Sequence, residues 1–186
     1  MHHTVILAGG GTGGHVYPAL AMGDALRARG HEGRYYGDGA RLEGRVAPER
    51  GYAFRPVAAV QYPRSGLMAK LRFLWQLLRA TASARSLLKA DGATMVLGVG
   101  GYVMAPTVLA AWTLGIPAAI HESNVAPGLA NKVCARVSRL VLLTYDETRR
   151  RLKGGAEMVT VCCPVNPKVL DGDAGKYELP AEKPVL

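Results

Sequence analysis

In AGGGTGGHVYP, Ala8 to Pro18, five glycines stand between an apolar strand candidate and a helix candidate, and a histidine follows them. Thr4 to Leu7 (TVIL) is β-branched and apolar, as a strand buried on both faces requires, and Val16 to Leu26 carries apolar residues at helical spacing. Glycines at such a junction permit positive φ and let an anion approach bare backbone, while the unpaired N–H groups of the helix start point towards it. The stretch therefore reads as a phosphate-facing turn. His15 falls in the first helical turn, facing whatever the turn binds.

Gly9, Gly11 and Gly14 also satisfy G-x-G-x-x-G, the fingerprint of dinucleotide-binding folds when it joins a strand to a helix. That reading wants an acidic residue closing the second strand, and Asp38, after the strand candidate Arg34 to Gly37, fills the place. A TGGH ending, however, puts a bulky titratable side chain where a dinucleotide turn needs only backbone. A tight turn without ligand and a solvent-facing His15 are the plainer alternatives.

The chain has 186 residues, 49% of them hydrophobic, enough for one packed domain that buries roughly 70% of its unfolded surface. Lys plus Arg number 23 against 14 Asp plus Glu, a formal net charge of +9, which implies attraction to something anionic: nucleic acid, an acidic lipid surface or a phosphorylated substrate. Cys134, Cys162 and Cys163 lack metal-ligand spacing, and an adjacent pair is poor geometry for a mutual disulfide, so they read as reduced thiols of a cytosolic protein. No run of 18 apolar residues occurs, and the N-terminus lacks a secretory apolar region with a cleavage site.

Short apolar runs alternate with helical patterns along the chain, which predicts repeated βαβ units and a doubly wound parallel sheet. Helices are expected at Ala40 to Ala47, Val103 to Leu114, Ala126 to Val137 and Asp146 to Leu152. Extended segments are expected at Phe54 to Val60, Thr94 to Gly98, Pro117 to Ile120, Leu140 to Leu143 and Met158 to Cys162. Residues 1–165 form the domain in this reading. Residues 166–186 read as a polar, turn-rich linker ending in Pro184, Val185 and Leu186, a strand that starts and is cut off, as in a truncated chain.

Two further constellations fall at strand ends. GVGGYV, Gly98 to Val103, repeats the strand, glycine and helix order, so both turns share one sheet edge and Tyr102 projects into a common crevice. IHESN, Ile120 to Asn124, followed by PGLANK, Pro127 to Lys132, brings His121, Glu122, Asn124 and Asn131 to a strand end. Such groups are costly to bury unpaired and are expected at the crevice mouth. Glu122 could hold a sugar hydroxyl or a proton, and Asn124 could contact a sugar. His121 could equally be a loop-shaping histidine bonded to backbone.

GGTGGHVYPALA, GVGGYV and HESN...GLANK, in this order and at these separations, resemble the MurG family, inverting N-acetylglucosaminyltransferases of peptidoglycan synthesis, over Thr4 to about Leu170. The match is to the N-terminal half of such an enzyme. The resemblance implies a Rossmann-like α/β domain, half of a two-domain GT-B glycosyltransferase, with no metal and no cofactor, UDP-GlcNAc being a co-substrate. It implies transfer of N-acetylglucosamine to the C4 hydroxyl of the lipid-linked acceptor, lipid I, to give lipid II, with the donor held through a C-terminal domain missing here. By position, Thr12, Gly13 and Gly14 match the turn beside the diphosphate, and Asn124 matches a donor contact. His15, Tyr102, His121, Glu122 and Asn131 match polar residues lining the acceptor side. His15 is the first candidate for general base, with Glu122 next. The resemblance places the protein peripherally on the cytoplasmic face of the bacterial inner membrane, with no nucleic-acid partner.

Two positions depart from the family pattern. Ser123 stands where glutamine is usual, removing one amide contact. Asn166 stands where an arginine is expected near the donor, and it lacks that residue's charge and bidentate fork.

Leu67 to Lys89, LMAKLRFLWQLLRATASARSLLK, is basic and amphipathic, with Leu67, Phe73 and Trp75 beside Lys70, Arg72 and Arg79. This suits docking on an anionic membrane surface, each cation near it being worth on the order of 1 kcal/mol. The plainer reading is a core helix with a solvated basic face. Two other function classes remain: an acceptor-binding, membrane-recruiting subunit of a split glycosyltransferase, and an NAD-dependent oxidoreductase, for which no catalytic constellation is present.

Overall fold

The computed structural model describes residues 2–63 and 65–165. Asn166 and the expected linker, 166–186, lie outside the described residues. The elements run β1 (Thr4–Ala8), α1 (Gly13–Ala28), β2 (Glu32–Gly37), α2 (Leu42–Glu49), β3 (Ala53–Pro56), α3 (Leu67–Ala90) and β4 (Met95–Gly98). They continue with α4 (Met104–Thr113), β5 (Ala118–Glu122), α5 (Leu129–Cys134), β6 (Leu140–Leu143), a 3₁₀ turn (Asp146–Arg151) and β7 (Glu157–Thr160).

The sheet is parallel throughout, in the order β3-β2-β1-β4-β5-β6-β7, which is the doubly wound class expected from the sequence. Strand alternation sorts the core into two layers. Val5, Leu7 and Tyr35 pack with Val16, Ala19 and Leu20 of α1 and with Val46 and Ala47 of α2. Ile6, Tyr36, Val96 and Ile120 face the other way, against Ala84 and Leu88 of α3 and Met104 and Val108 of α4. No helix of the described residues is long and apolar enough to cross a membrane.

Winding runs outward from β1 to β3, returns to the opposite side of β1 at β4, and runs outward again to β7. The reversal between β1 and β4 leaves a crevice outside their carboxyl ends, because the crossovers on the two sides diverge there. Both glycine turns lie at this point. Far from it, buried Asp91, just after α3, accepts from the Tyr36 hydroxyl at 2.9 Å and pairs with Arg34 at 2.7 Å and Arg55 at 2.8 Å. These hydrogen bonds, that from Arg55 foremost, hold the Asp91 carboxyl below its usual pKa against the opposing effect of burial.

Several boundaries differ from the sequence reading. α1 begins at Gly13 rather than Val16, because the glycine turn itself winds into the helix. β3 ends at Pro56, its last bond to β2 being Val57 N–H to the Gly37 carbonyl at 2.8 Å, and the expected extension to Val60 is irregular. α5 is limited to Leu129–Cys134, since Gly128 keeps extended backbone (φ −66, ψ 162). The segment from Asp146 is a 3₁₀ turn, not an α-helix.

Candidate functional site

The two glycine turns interlock. Gly10 N–H donates to the Gly100 carbonyl at 3.3 Å, and the loop after β4 rests on the loop after β1. Gly101 permits this approach: its φ is +81, and a Cβ there would run into the Gly10 carbonyl. At the start of α1 the N-cap residue Thr12 is extended, and no side chain caps the helix. The first N–H groups, at Gly13 and Gly14, have no intrahelical acceptor.

His15 sits in the first turn of α1 and is half-buried. Its Nδ1 is 3.2 Å from the Gly10 carbonyl and 3.3 Å from Thr12 Oγ1. A carbonyl can only accept, so Nδ1 carries the proton of the neutral ring and the lone pair resides on Nε2. That atom lies against the second turn, where a Cβ on Gly100 would come within 2.8 Å of it. The tertiary structure thus selects the tautomer with Nδ1 protonated.

Sequence reasoning missed Glu43. It is fully buried in α2, and its Oε2 accepts from Gly11 N–H at 3.1 Å while Oε1 accepts from Asp38 N–H at 3.2 Å. Gly11 N–H is therefore already engaged by Glu43. A Cβ on Gly10 would collide with the same carboxylate, so Glu43 sets both the path of the turn and its need for glycine. A lone Glu in the polar segment RLEGRV gives no sequence signal of this role.

The loop after β5 departs most from expectation. Glu122 is 1% exposed, and its Oε1 accepts from Asn124 N–H at 2.8 Å and Asn124 Nδ2 at 2.9 Å. Its Oε2 accepts from Gly128 N–H at 3.3 Å and from Asn131 Nδ2. With both oxygens engaged by four donors, Glu122 folds the loop. This arrangement favours a positioning role over proton transfer. Asn131 is buried and serves the same network. Thr148 Oγ1 donates to the Asn124 carbonyl at 3.0 Å, which fixes Asn124 from a second side while it stays exposed along the crevice.

His121 is buried rather than at the crevice mouth. Its Nε2 is 3.1 Å from Thr144 Oγ1, and its Nδ1 has no partner among the described residues. Burial lowers its pKa, nearby His15 adds to this, and Glu122 opposes it, so the ring is held neutral. The loop-shaping alternative expected a bond to backbone, and neither ring nitrogen makes one among the described residues.

Around these groups the crevice has two arms. One, of about 300 Å³, runs past Thr12, Arg41 and Glu43, and the other, of about 390 Å³, past Tyr62, Asn124 and Gly128. His15, Gly101 and Tyr102 line both arms and mark their junction. Tyr102, 47% exposed, projects there as expected from GVGGYV.

Helix α3 carries two apolar stripes. Leu71, Leu74, Trp75 and Leu78, spaced three and four residues apart, are all more than half exposed, with Leu67 and Met68 continuing the patch. Lys70, Arg72 and Arg79 are exposed beside them, and the Arg79 guanidinium lies 4.6 Å from the Trp75 ring centre. Phe73 is a correction to the expected docking set. It belongs to the inner stripe with Leu77 and Ala80, half-buried, edge-on to Tyr62 at 5.2 Å.

Comparison with known proteins bears on this geometry. Residues 5–142 match the glycosyltransferase family 28 N-terminal domain. The chain is 44% identical over 149 residues to a UDP-N-acetylglucosamine--N-acetylmuramyl-(pentapeptide) pyrophosphoryl-undecaprenol N-acetylglucosamine transferase of Acidithiobacillus ferrooxidans, covering 80% of this chain and 41% of that protein. The transferase of the same name from Clavibacter sepedonicus is 39% identical over 189 residues, covering 97% of this chain and 51% of that one. The crystal structure of Acinetobacter baumannii MurG superposes with a TM-score of 0.72 at 29% identity, over 87% of this chain and 45% of that chain. The chain thus spans about half the length of the relatives it matches, and the resemblance to the N-terminal half of MurG enzymes is borne out.

Proposed function

The chain belongs to the glycosyltransferase family 28 N-terminal domains, and from that premise we propose that it is the acceptor-binding half of an inverting N-acetylglucosaminyltransferase. Its acceptor is lipid I, its product lipid II, and its donor UDP-GlcNAc, held mainly by a second half that the relatives possess beyond the span matched here. The observation that carries this reading is the pair of interlocked glycine turns with His15 at their junction, its Nε2 lone pair facing the second turn.

In the proposed reaction the free N–H groups of Gly13 and Gly14 receive a diphosphate, and Asn124 and Tyr102 position sugars in the crevice. His15 Nε2 takes the proton from the C4 hydroxyl of the muramoyl residue as that oxygen attacks the anomeric carbon of the donor. The bond from that carbon to the UDP oxygen breaks, and UDP leaves with the electron pair. Attack on the face opposite the leaving group inverts the anomeric configuration. Glu122, Asn131 and His121 act through the loop they hold. The test is sugar transfer to a lipid I analogue by this chain, with and without a supplied donor-binding half of a relative. Transfer with the supplied half is expected, and its absence, with both parts folded, would sink the reading.

The exposed stripe of α3 supports docking on an anionic bilayer at the cytoplasmic face, where a lipid-anchored acceptor would lie. The chain should sediment with vesicles containing phosphatidylglycerol and be released by salt, since exposed charges are screened within about 10 Å at roughly 0.1 M. Leu71→Ser with Trp75→Ser should abolish sedimentation without moving the melting temperature. Equal sedimentation with neutral vesicles would return α3 to the plainer reading.

A further inference from the structure

Beside the crevice lies an apolar pocket of about 210 Å³ that the proposed chemistry does not use. Phe73 and Leu77 of the inner stripe of α3, Ala105 and Leu109 of α4 and Val133 of α5 contribute to its walls. Its lining is almost wholly apolar, and of the residues that form it only Tyr62 and Tyr102 carry a polar group on the side chain. These tyrosines also line the crevice arm that holds His15 and Asn124, as do Leu129 and Ala130, so pocket and arm are adjacent and share walls. Tyr62 and Phe73 pack edge-on, at 5.2 Å, in the wall of the pocket. On its far side α3 presents the exposed stripe of Leu71, Leu74, Trp75 and Leu78.

We propose that this pocket is a subsite for the isoprenyl units next to the diphosphate of the lipid-linked acceptor. The inference rests on the reading of the crevice as the acceptor site, and it adds that the protein recognises the hydrocarbon directly rather than leaving it all to the bilayer. The occupant must be apolar along its length, because the lining offers little to satisfy a peptide backbone. It must also be tethered to a polar group in the adjoining arm, since the two share walls. A branched hydrocarbon attached to a diphosphate meets both conditions. Its remainder can leave past the apolar patch of α3.

The test is calorimetric titration of the 186-residue chain with geranyl diphosphate, a two-isoprene probe, and with inorganic diphosphate. Geranyl diphosphate is expected to bind about tenfold more tightly or better, as buried apolar area is removed from water. Ala105→Phe, which fills the pocket, and Val133→Ser, which makes its wall polar, should each erase that advantage and leave the affinity for inorganic diphosphate unchanged. Two variants guard against one that misfolds, and each is checked by its melting temperature. Equal affinity of the native chain for both probes would overturn the subsite while leaving the diphosphate reading intact. An advantage that survives both substitutions but vanishes with Leu71→Ser and Trp75→Ser would reassign it to the exposed stripe and also overturn the subsite. Binding of neither probe would remove the diphosphate reading and this inference with it.

Discussion

Replacing His15 by alanine, in the chain supplied with a donor-binding half, is expected to lower kcat for sugar transfer by roughly 10² to 10⁴ while leaving the affinity for the lipid-linked acceptor within about threefold. The asymmetry follows from what a base does. It takes the proton as the oxygen attacks, so its contribution is made in the transition state and hardly at all in the bound ground state. The geometry sharpens the test, because the ring is held through Nδ1 by the Gly10 carbonyl, which leaves Nε2 as the nitrogen that would take a proton. His15→Gln can still donate to Gly10 and fill much of the space, yet its amide accepts no proton at neutral pH. It should fall nearly as far as the alanine variant. Near-full turnover of His15→Gln in a single-turnover assay would show that His15 positions rather than reacts.

The parts of this site that were legible in the sequence are those in which residue type is dictated by backbone geometry. Gly101 must be glycine because its φ is positive and the Gly10 carbonyl occupies the place of its Cβ, and the turns recur in the sequence as glycine clusters at strand ends. The doubly wound order was legible for a similar reason, since buried parallel strands write short apolar runs. The loop after β5 was not. All five residues of β5 are buried, so period-two alternation carries no information about which side His121 and Glu122 take. Their partners, Thr144 and Asn131, lie 23 and 9 residues away, respectively. Phe73 could have been separated from Trp75, because two residues along a helix turn the side chain by about 200° and put it on the opposite face. Composition alone merges the two stripes of α3, whereas spacing divides them.

Glu43 is the residue whose truncation should most damage the scaffold of the site, and its expected effect is on stability first. Glu43→Ala removes a buried carboxylate that accepts from Gly11 N–H and Asp38 N–H beside the crevice, leaving two part-buried donors unsatisfied. A cost on the order of 3 kcal/mol follows from the desolvation of such groups. In a chain of this size that corresponds to a fall of roughly 6 to 12 °C in melting temperature. The glycine turn should loosen with it, weakening diphosphate binding, because Gly10 and Gly11 are held from below by this one carboxylate. Glu43→Gln keeps one oxygen and the volume, and should lose about half as much. Glu43→Met keeps the volume with no oxygen, so it isolates the hydrogen bonds from the packing. If Glu43→Met melted with the native chain, the turn would owe its shape to the Gly10 to Gly100 bond and to sterics alone. If it melted with Glu43→Ala, the buried carboxylate would be what holds the anion-facing turn in place.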